Sequence, residues 1–460
     1  MAAEFDPDPP VSTTNFQSTA EPLIIQVSEP IAATYFKYRF ILVIEDRDGT
    51  ELAKLKTHML SNTNRVAVFD ISRVLDDFLA PNVVNFNTTT SNILTVGRTG
   101  FTPASIISMS GKDCPARKFT LKLGHENATS ATTEPVESLN EDQTTLFAFR
   151  DEFINDGESY ARGDGSFQPS AATDNFLSSA PDLGVVSGFG PGFGNVREHR
   201  IGIDQAYVLA WGMESSDAEY VLIRGYEADG TTIVLATLDI DAVGGDTTPT
   251  IDIENVQYVG VGPANLEEHA AAASNTNLTT LITDADLAYY ELYLSSSATP
   301  TTINQESVVH RFTIDNGCSI YDRKQLMFLN RHGGWDCFNF DMKSDDTLTS
   351  IQRSSYNRPR GNWDTVSINT DWTYNGWERG VTTTTVSAER QMRVSTDYID
   401  EGYNLHLRDI ALSRSVFLVD GTNLIPVVVT DSEYLFKTSE NDKLISYTFT
   451  LRYSNRPRLK

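Results

Sequence analysis

Six side chains in this 460-residue sequence have the types and clustering of contact chemistry: Arg331, Trp335, Arg358, Trp363, Trp372 and Trp377. Trp and Arg dominate contact hot spots because each offers a large rigid face together with a directed polar group. Four of the five tryptophans fall between 335 and 377, with Arg353, Tyr356, Arg360, Tyr374 and Arg379 beside them. Three readings of the cluster stand: one domain core with its edges, a protein–protein contact, or a stacking platform for sugar rings. Trp335 belongs to "FLNRHGGWDCFNF", residues 328–340, where Gly333 and Gly334 follow Arg331 and His332. A glycine pair beside basic residues suits a ligand loop. The flanks "QLMFLNR" and "WDCFNFDM" are strand-like, however, and glycines supply the positive φ of a tight hairpin, so a turn is expected. Alternation places Trp335, Cys337 and Asn339 on one strand face and Asp336, Phe338 and Phe340 on the other. Bulk on both faces suits a strand buried between layers or at a subunit contact.

Catalytic constellations are not visible along the chain. There is no G-x-S-x-G elbow, phosphate loop or metal-triad spacing, and the seven histidines (58, 125, 199, 269, 310, 332 and 406) are scattered singly. No catalytic, metal or cofactor residue is therefore expected, and the chain reads as a non-enzyme. A glycosidase carboxylate pair stays open as a remote alternative, because its spacing is set in space. Asp46-x-Asp48-Gly49 resembles part of a calcium loop but lacks the terminal Glu, so a hairpin is expected there. Arg162-Gly163-Asp164 is the integrin-type tripeptide in a Gly-rich loop, where it arises by chance. Gly188-x-Gly190 does not open a helix after a strand, which fails the context of a dinucleotide site.

The net charge of −26 argues against nucleic acid as the main partner, which needs a basic surface. The acidity is uneven. No Lys or Arg precedes Lys37, and none lies between Arg224 and Arg311, where Asp and Glu number 13. From Arg311 onward, 19 basic residues face 19 acidic ones. Solubility is the plain reading of the acidic part, and calcium ligation the sharper one. Three cysteines, Cys114, Cys318 and Cys337, are too few for a disulfide framework. The N-terminus has neither the charged nor the apolar region of a secretory signal, so folding in a reducing cytoplasm is expected. The longest apolar run, "YRFILVI", is too short to span a bilayer, so no membrane insertion is expected.

The elements that would position these residues are mostly strands. Residues 1–20, with Pro7, Pro9 and Pro10, read as a flexible N-terminal arm. Residues 21–154 read as a β domain with one short helix at "DISRVLDDFL", capped by Asp70 and stopped by Pro81. Residues 155–200 form a Gly-rich loop or linker, and 201–308 an acidic β domain with a brief Ala-rich helix or loop at 264–275. Residues 309–460 form a C-terminal β domain. In it, "GVTTTTVSAERQMRVST" is expected as a strand pair, the Arg/Ser/Tyr stretch before it as a loop, and "GYNLHLRDIALS" as a helix with Leu405, Leu407, Ile410 and Leu412 on its apolar side. Hairpins are expected at Asp229-Gly230 and Asp420-Gly421. The fold class expected is all-β: two to three β-sandwich or barrel-like domains with a few short helices.

Three blocks carry a family resemblance: "PLIIQVSEP" with "YFKYRFILVIED" and "VFDISRVLDDFL" (22–79), "RFTIDNGCSIYDRKQLMFLNRHGGWDCFNF" (311–340), and "SVFLVDGTNLIPVVVTDSEYLFKTSENDKLISYTFTLRYSN" (415–455). Together they resemble virion structural proteins of tailed bacteriophages, of the tail, baseplate or collar type. The resemblance implies β-domains, self-assembly into a ring, docking to other tail, baseplate or portal-proximal proteins, and a place in the virion tail after assembly in the host cytoplasm. It carries no functional residues, because the pattern is one of strands and turns. A receptor- or carbohydrate-binding tail protein is the alternative. At least one chain end, the acidic arm or the basic "NRPRLK", is expected to order only in the assembly, on a neighbouring subunit or partner.

Overall fold

The computed structural model describes residues 3–5, 16–19, 22–29, 36–46, 49–60, 66–79, 107–109, 116–149, 166–167, 176–185, 195–212, 220–239, 256–273, 275–299, 305, 307–315, 320–358, 361–363, 372–373, 376–377, 380–421, 423–437, 444–455 and 458–459. Strands dominate them, in several sheets, and the helices are short. The chain is all-β in class. It divides into two compact units: the first comprises 1–318, 327–338 and 402–414, the second 319–326, 339–401 and 415–460. The second unit holds 15 Lys and Arg against 16 Asp and Glu, a net charge of −1. Of the total of −26, −25 therefore falls on the first unit.

The first unit opens with β1 (Glu4–Phe5), β2 (Phe16–Ser18), β3 (Ile24–Ser28), β4 (Phe36–Asp46), β5 (Glu51–Thr57), β6 (Val66–Asp70), α1 (Ser72–Phe78), β7 (Ile107–Met109), β8 (Ala116–Ala128), β9 (Val136–Phe149) and β10 (Ser166–Phe167). Two sheets, ordered β1-β3-β6 and β10-β2-β9-β8-β4-β5, share one core. Alternation builds it: Ile25 and Val27 of β3, Phe40, Leu42 and Ile44 of β4, and Phe119, Leu121 and Leu123 of β8 all point inward. Each such side chain contributes roughly 1.5–3 kcal/mol by leaving water. The segment expected as an arm takes part. β1 pairs with β3, β2 runs parallel to β9, and Ala3 and Phe5 are buried in the core, because two small apolar anchors suffice to add a strand to an open edge. The cap of α1 is Ile71, not the expected Asp70, which lies one residue earlier and whose Oδ1 accepts from the Ser72 amide (3.1 Å) and hydroxyl (2.7 Å). Pro81 and Asp48 lie outside the described residues. Gly49, at φ +75, completes the β4–β5 turn. At the β5 edge, Lys54 and Lys56 grip Glu137 at 2.5 and 2.7 Å and hold its carboxyl down at about 2. Lysines on an outer strand discourage pairing with other chains.

The same unit continues with β11 (Asp182–Val185), β12 (Asn195–Ile201), β13 (Val208–Gly212), β14 (Tyr220–Tyr226), β15 (Thr232–Asp239), β16 (Val256–Gly260), α2 (Pro263–Ala273), α3 (Thr276–Thr283), β17 (Tyr289–Ser295) and β18 (Val309–Ile314). They form a six-stranded sheet, β11-β12-β18-β17-β14-β15, and a three-stranded one, β13-β16-β7. The β14–β15 hairpin turns at Gly230, φ +86, as expected. Residues 263–273 are helical; Asn265, buried within α2, accepts the Tyr207 amide at 2.9 Å, and Asn275 caps α3. The tripeptide at 162–164 and Gly188-x-Gly190 lie outside the described residues.

β19 (Lys324–Leu329) and β20 (Trp335–Phe340) are neighbours, with every residue of β20 buried. The remaining elements are β21 (Asp345–Asn357), β22 (Asn362–Trp363), β23 (Trp372–Thr373), β24 (Val381–Ser395), β25 (Ile399–Asp400), α4 (Asn404–Leu412), β26 (Val416–Asp420), β27 (Asn423–Val429), β28 (Leu444–Ile445), β29 (Thr448–Tyr453) and β30 (Arg458–Leu459). In the second unit the strand order is β26-β27-β29-β24-β21. Gly421 (φ +61) turns the β26–β27 hairpin as expected. Two expectations are corrected here. Residues 381–395 are one continuous strand, and its partner is β21, in the stretch read as a loop. The chain's basic end is also paired internally: Arg458 and Leu459 lie opposite Ser387 and Val386 of β24.

Candidate functional site

The first unit contains a buried polar chain centred on Asp336, which is fully inaccessible. Its Oδ1 accepts from the hydroxyls of Ser178 (2.8 Å) and Tyr207 (3.2 Å). Its Oδ2 accepts from the Ser179 amide (2.8 Å), the Ser179 hydroxyl (3.1 Å) and Asn330 Nδ2 (2.8 Å). The chain extends both ways. Ser179 Oγ lies 3.0 Å from His406 Nδ1 on α4, and Tyr207 hydroxyl 2.8 Å from His199 Nδ1 on β12. His199 Nε2 in turn lies 2.8 Å from His310 Nδ1 on β18. Strand alternation explains the placement: Asp336 sits between Trp335 and Cys337 on β20 and faces away from both.

The turn that begins β20 belongs to this arrangement. Gly333 takes φ +77, and Asn330 Oδ1 accepts the amides of His332 (2.9 Å) and Gly334 (3.0 Å). Gly334 is required for a second reason: a Cβ there would stand 1.9 Å from the Leu177 carbonyl oxygen. The glycine pair is thus a hairpin turn, as expected, and also the point where the 176–180 segment presses on the hairpin.

Ser179, His406 and Asp336 are the residue types of an acyl-transfer triad, but their order differs. The serine lies between the acid and the imidazole, and His406 Nδ1 is 3.9 Å from Asp336 Oδ2. All three are buried, so no substrate carbonyl reaches Ser179. Burial dominates the electrostatics. It holds the His199 imidazole well below its usual range, with the charges of His310, His406 and Arg197 acting the same way. It lowers His406 too, against the pull of Asp336. It pushes the Tyr207 hydroxyl and Cys337 thiol well up, Asp336 adding to both. Three imidazoles and one phenol around the Asp336 carboxyl make a brace that joins β12, β18, β20, α4, Tyr207 just before β13 and the 176–180 segment. Its chemistry is that of a fixed hydrogen-bond network.

The expected contact residues divide between the units. Arg331 and Trp335 lie in the first. Trp335 is 1% exposed and is a core residue, which is one of the readings open for the cluster. Arg331 is half-buried, its amide 3.3 Å from Asp409 Oδ2. Arg358, Trp363, Trp372 and Trp377 lie in the second unit, on or beside the connection between β21 and β24. Arg358 is exposed and its amide donates to the Gly380 carbonyl at 2.7 Å. Trp363 and Trp372 stand opposite each other in the β22–β23 pair; the Trp363 side chain lies outside the described residues. Trp372 is 44% and Trp377 77% exposed.

These residues crown the outer end of the β21–β24 pair, a ribbon that among the described residues is two-stranded beyond the pairing of β24 with β29 at 391–395 and with β30 at 386–387. β21 pairs with β24 over its whole length, with register shifts after Thr349 and after Ser354, and Ser350 takes φ +52 at the first. Every residue of β21 except Thr349 is exposed, on both faces. Leu348, Ile351, Tyr356 and Val381 are exposed apolar side chains on it. No described strand pairs with the outer edge of β21, which carries neither Lys nor Pro along its length. Among the described residues no group of His, Cys, Asp or Glu could hold a metal ion, and no helix is long and apolar enough to cross a membrane. No family model matches the chain, and no curated protein matches it.

Proposed function

We propose that this chain is a structural component of a tailed-phage virion, of tail, baseplate or collar, that assembles into a ring with copies of itself and docks other tail proteins. The observation that carries the reading is the β21–β24 ribbon. A two-stranded ribbon open on both faces is marginal in water alone, and its exposed Leu, Ile, Tyr, Val and Trp side chains gain only when a neighbour covers them. The braced β-sheet interior of the first unit is the kind of rigid body a ring subunit requires. Cryo-EM of virions, with peptide mass spectrometry of purified particles, tests the reading. A ring of this chain in the tail region is expected, and absence from particles overturns it.

Exposed Trp372 and Trp377 favour a second reading, a receptor- or carbohydrate-binding tail protein, since indole faces stack on sugar rings. Trp372→Ala and Trp377→Ala separate the two. Loss of host-glycan retention with assembly intact favours glycan binding, and loss of assembly with no effect on glycan favours the ring.

A further inference from the structure

We infer, building on the ring reading, that the contact between copies is head-to-tail: the β21–β24 ribbon of one copy docks on the acidic first unit of the next. The charge distribution carries the argument. With −25 on the first unit and −1 on the second, first units repel one another, and the pairing that removes like-charge contact sets second unit against first. The ribbon suits that role. Beyond its first register shift the two strands and their connection carry Arg353, Arg358, Arg360 and Arg379 against Asp364, Asp371 and Glu378, a net charge of +1 where the first unit has −25.

The acidic counterpart is the part of the first unit between Arg224 and Arg311, which has no Lys or Arg of its own. There the β14–β15 hairpin, α2 and α3 are held together: Asn275 and Asn277 of the α3 start donate to the Thr237 and Leu235 carbonyls of β15 at 3.1 and 3.0 Å. Asp229, Asp239 and Glu267 are exposed on these elements, and Asp286 is exposed in the turn after α3. A heterologous contact of this kind repeats from copy to copy and closes into a ring, whereas ribbon-on-ribbon pairing about a twofold axis would stop at two. Charge pairs at the rim supply orientation and salt dependence, and the apolar ribbon residues supply most of the binding.

The test uses the full chain and mass photometry. Oligomers of the wild type should weaken at least about tenfold between low and high salt. Arg353→Glu with Arg358→Glu should weaken them by a similar factor at low salt. Adding Glu267→Lys and Asp286→Lys in the same chain should restore assembly in part, because the swapped charges again meet across copies. Circular dichroism and thermal melts report whether each variant folds. If the quadruple variant melts early, the two double variants mixed together replace it, since each supplies the surface complementary to the other's altered one. Oligomers indifferent to salt and to the reversals overturn the head-to-tail contact while leaving the ring reading standing. A chain monomeric at every concentration and salt overturns the contact, and only its absence from particles as well overturns the ring reading.

Discussion

Replacing Asp336 with Asn keeps the shape of the buried acceptor and removes its charge. Five donors converge on it: the Ser178, Ser179 and Tyr207 hydroxyls, the Ser179 amide and Asn330 Nδ2. Amide and Nδ2 donors cannot reverse, and both meet Oδ2, so the asparagine oxygen must take that position. Its NH2 then faces Ser178 and Tyr207, whose hydroxyls can rotate to accept. The variant keeps most of its bonds and loses charge assistance, while the cost of burying a carboxylate is relieved. A hydrogen bond to a charged group contributes about 1.5–3 kcal/mol against about 1 for a neutral one, so the net loss expected is about 2 kcal/mol. Asp336→Ala leaves the Ser179 amide and Asn330 without their partner in a dry interior, and the loss expected exceeds about 4 kcal/mol. Urea unfolding followed by tryptophan emission measures both, since Trp335 is the adjacent buried residue. Asp336→Ala within about 1 kcal/mol of the wild type would refute the view that this network braces the unit.

Gly334→Ala would drive a methyl into the Leu177 carbonyl at 1.9 Å and should cost about 3 kcal/mol or more, measured by the same unfolding, whereas Gly230→Ala, with nothing within 4 Å of the added methyl but φ +86, should cost only about 1 kcal/mol. Burial raises Asp409 to about 6, against the pull of Arg331 and Arg408. A carboxyl raised in the fold adds stability that is full below its unfolded value near 3.8 and lost as pH rises through about 6. Asp409→Asn should therefore leave melting below pH 4 unchanged and stabilise the protein at pH 8 by about 2–3 kcal/mol, read as a shift in Tm. His199 and His406, held neutral, act oppositely: their contribution is present above about 6.5 and is lost as pH falls through their lowered folded values, a loss that Asp409→Asn exposes on its own.

Strands with one buried face were legible. "LIIQVSEP", "KFTLKLGHE" and "LISYTFTLRY" alternate, and Ile25, Leu121 and Phe449 point inward as the period requires. β21 was not legible, because a strand exposed on both faces has no reason to alternate, and "DDTLTSIQRSSYN" reads as a polar loop. On α4 the apolar period misplaced the buried face. Leu407 and Ile410 are inside, but so are His406, Arg408 and Asp409, while Leu405 and Leu412 are exposed. His406 enters there because Ser179 meets it, and Asp409 accepts the Arg331 amide; a partner distant in sequence leaves no local trace. Asp336 shows this most plainly, since Ser178 is 158 positions away and Tyr207 129. The Trp/Arg cluster was visible as a group, but spacing alone does not separate a buried Trp335 from an exposed Trp377.

Mass photometry of the wild-type chain and of one lacking the ribbon's outer part (residues 351–386 replaced by a short Gly-Ser turn) tests self-assembly through the ribbon most directly. A discrete multiple of 50.9 kDa for the wild type, and monomers that keep the melting behaviour of the first unit for the deletion, are the results expected. Equal oligomers from both chains would contradict assembly through the ribbon.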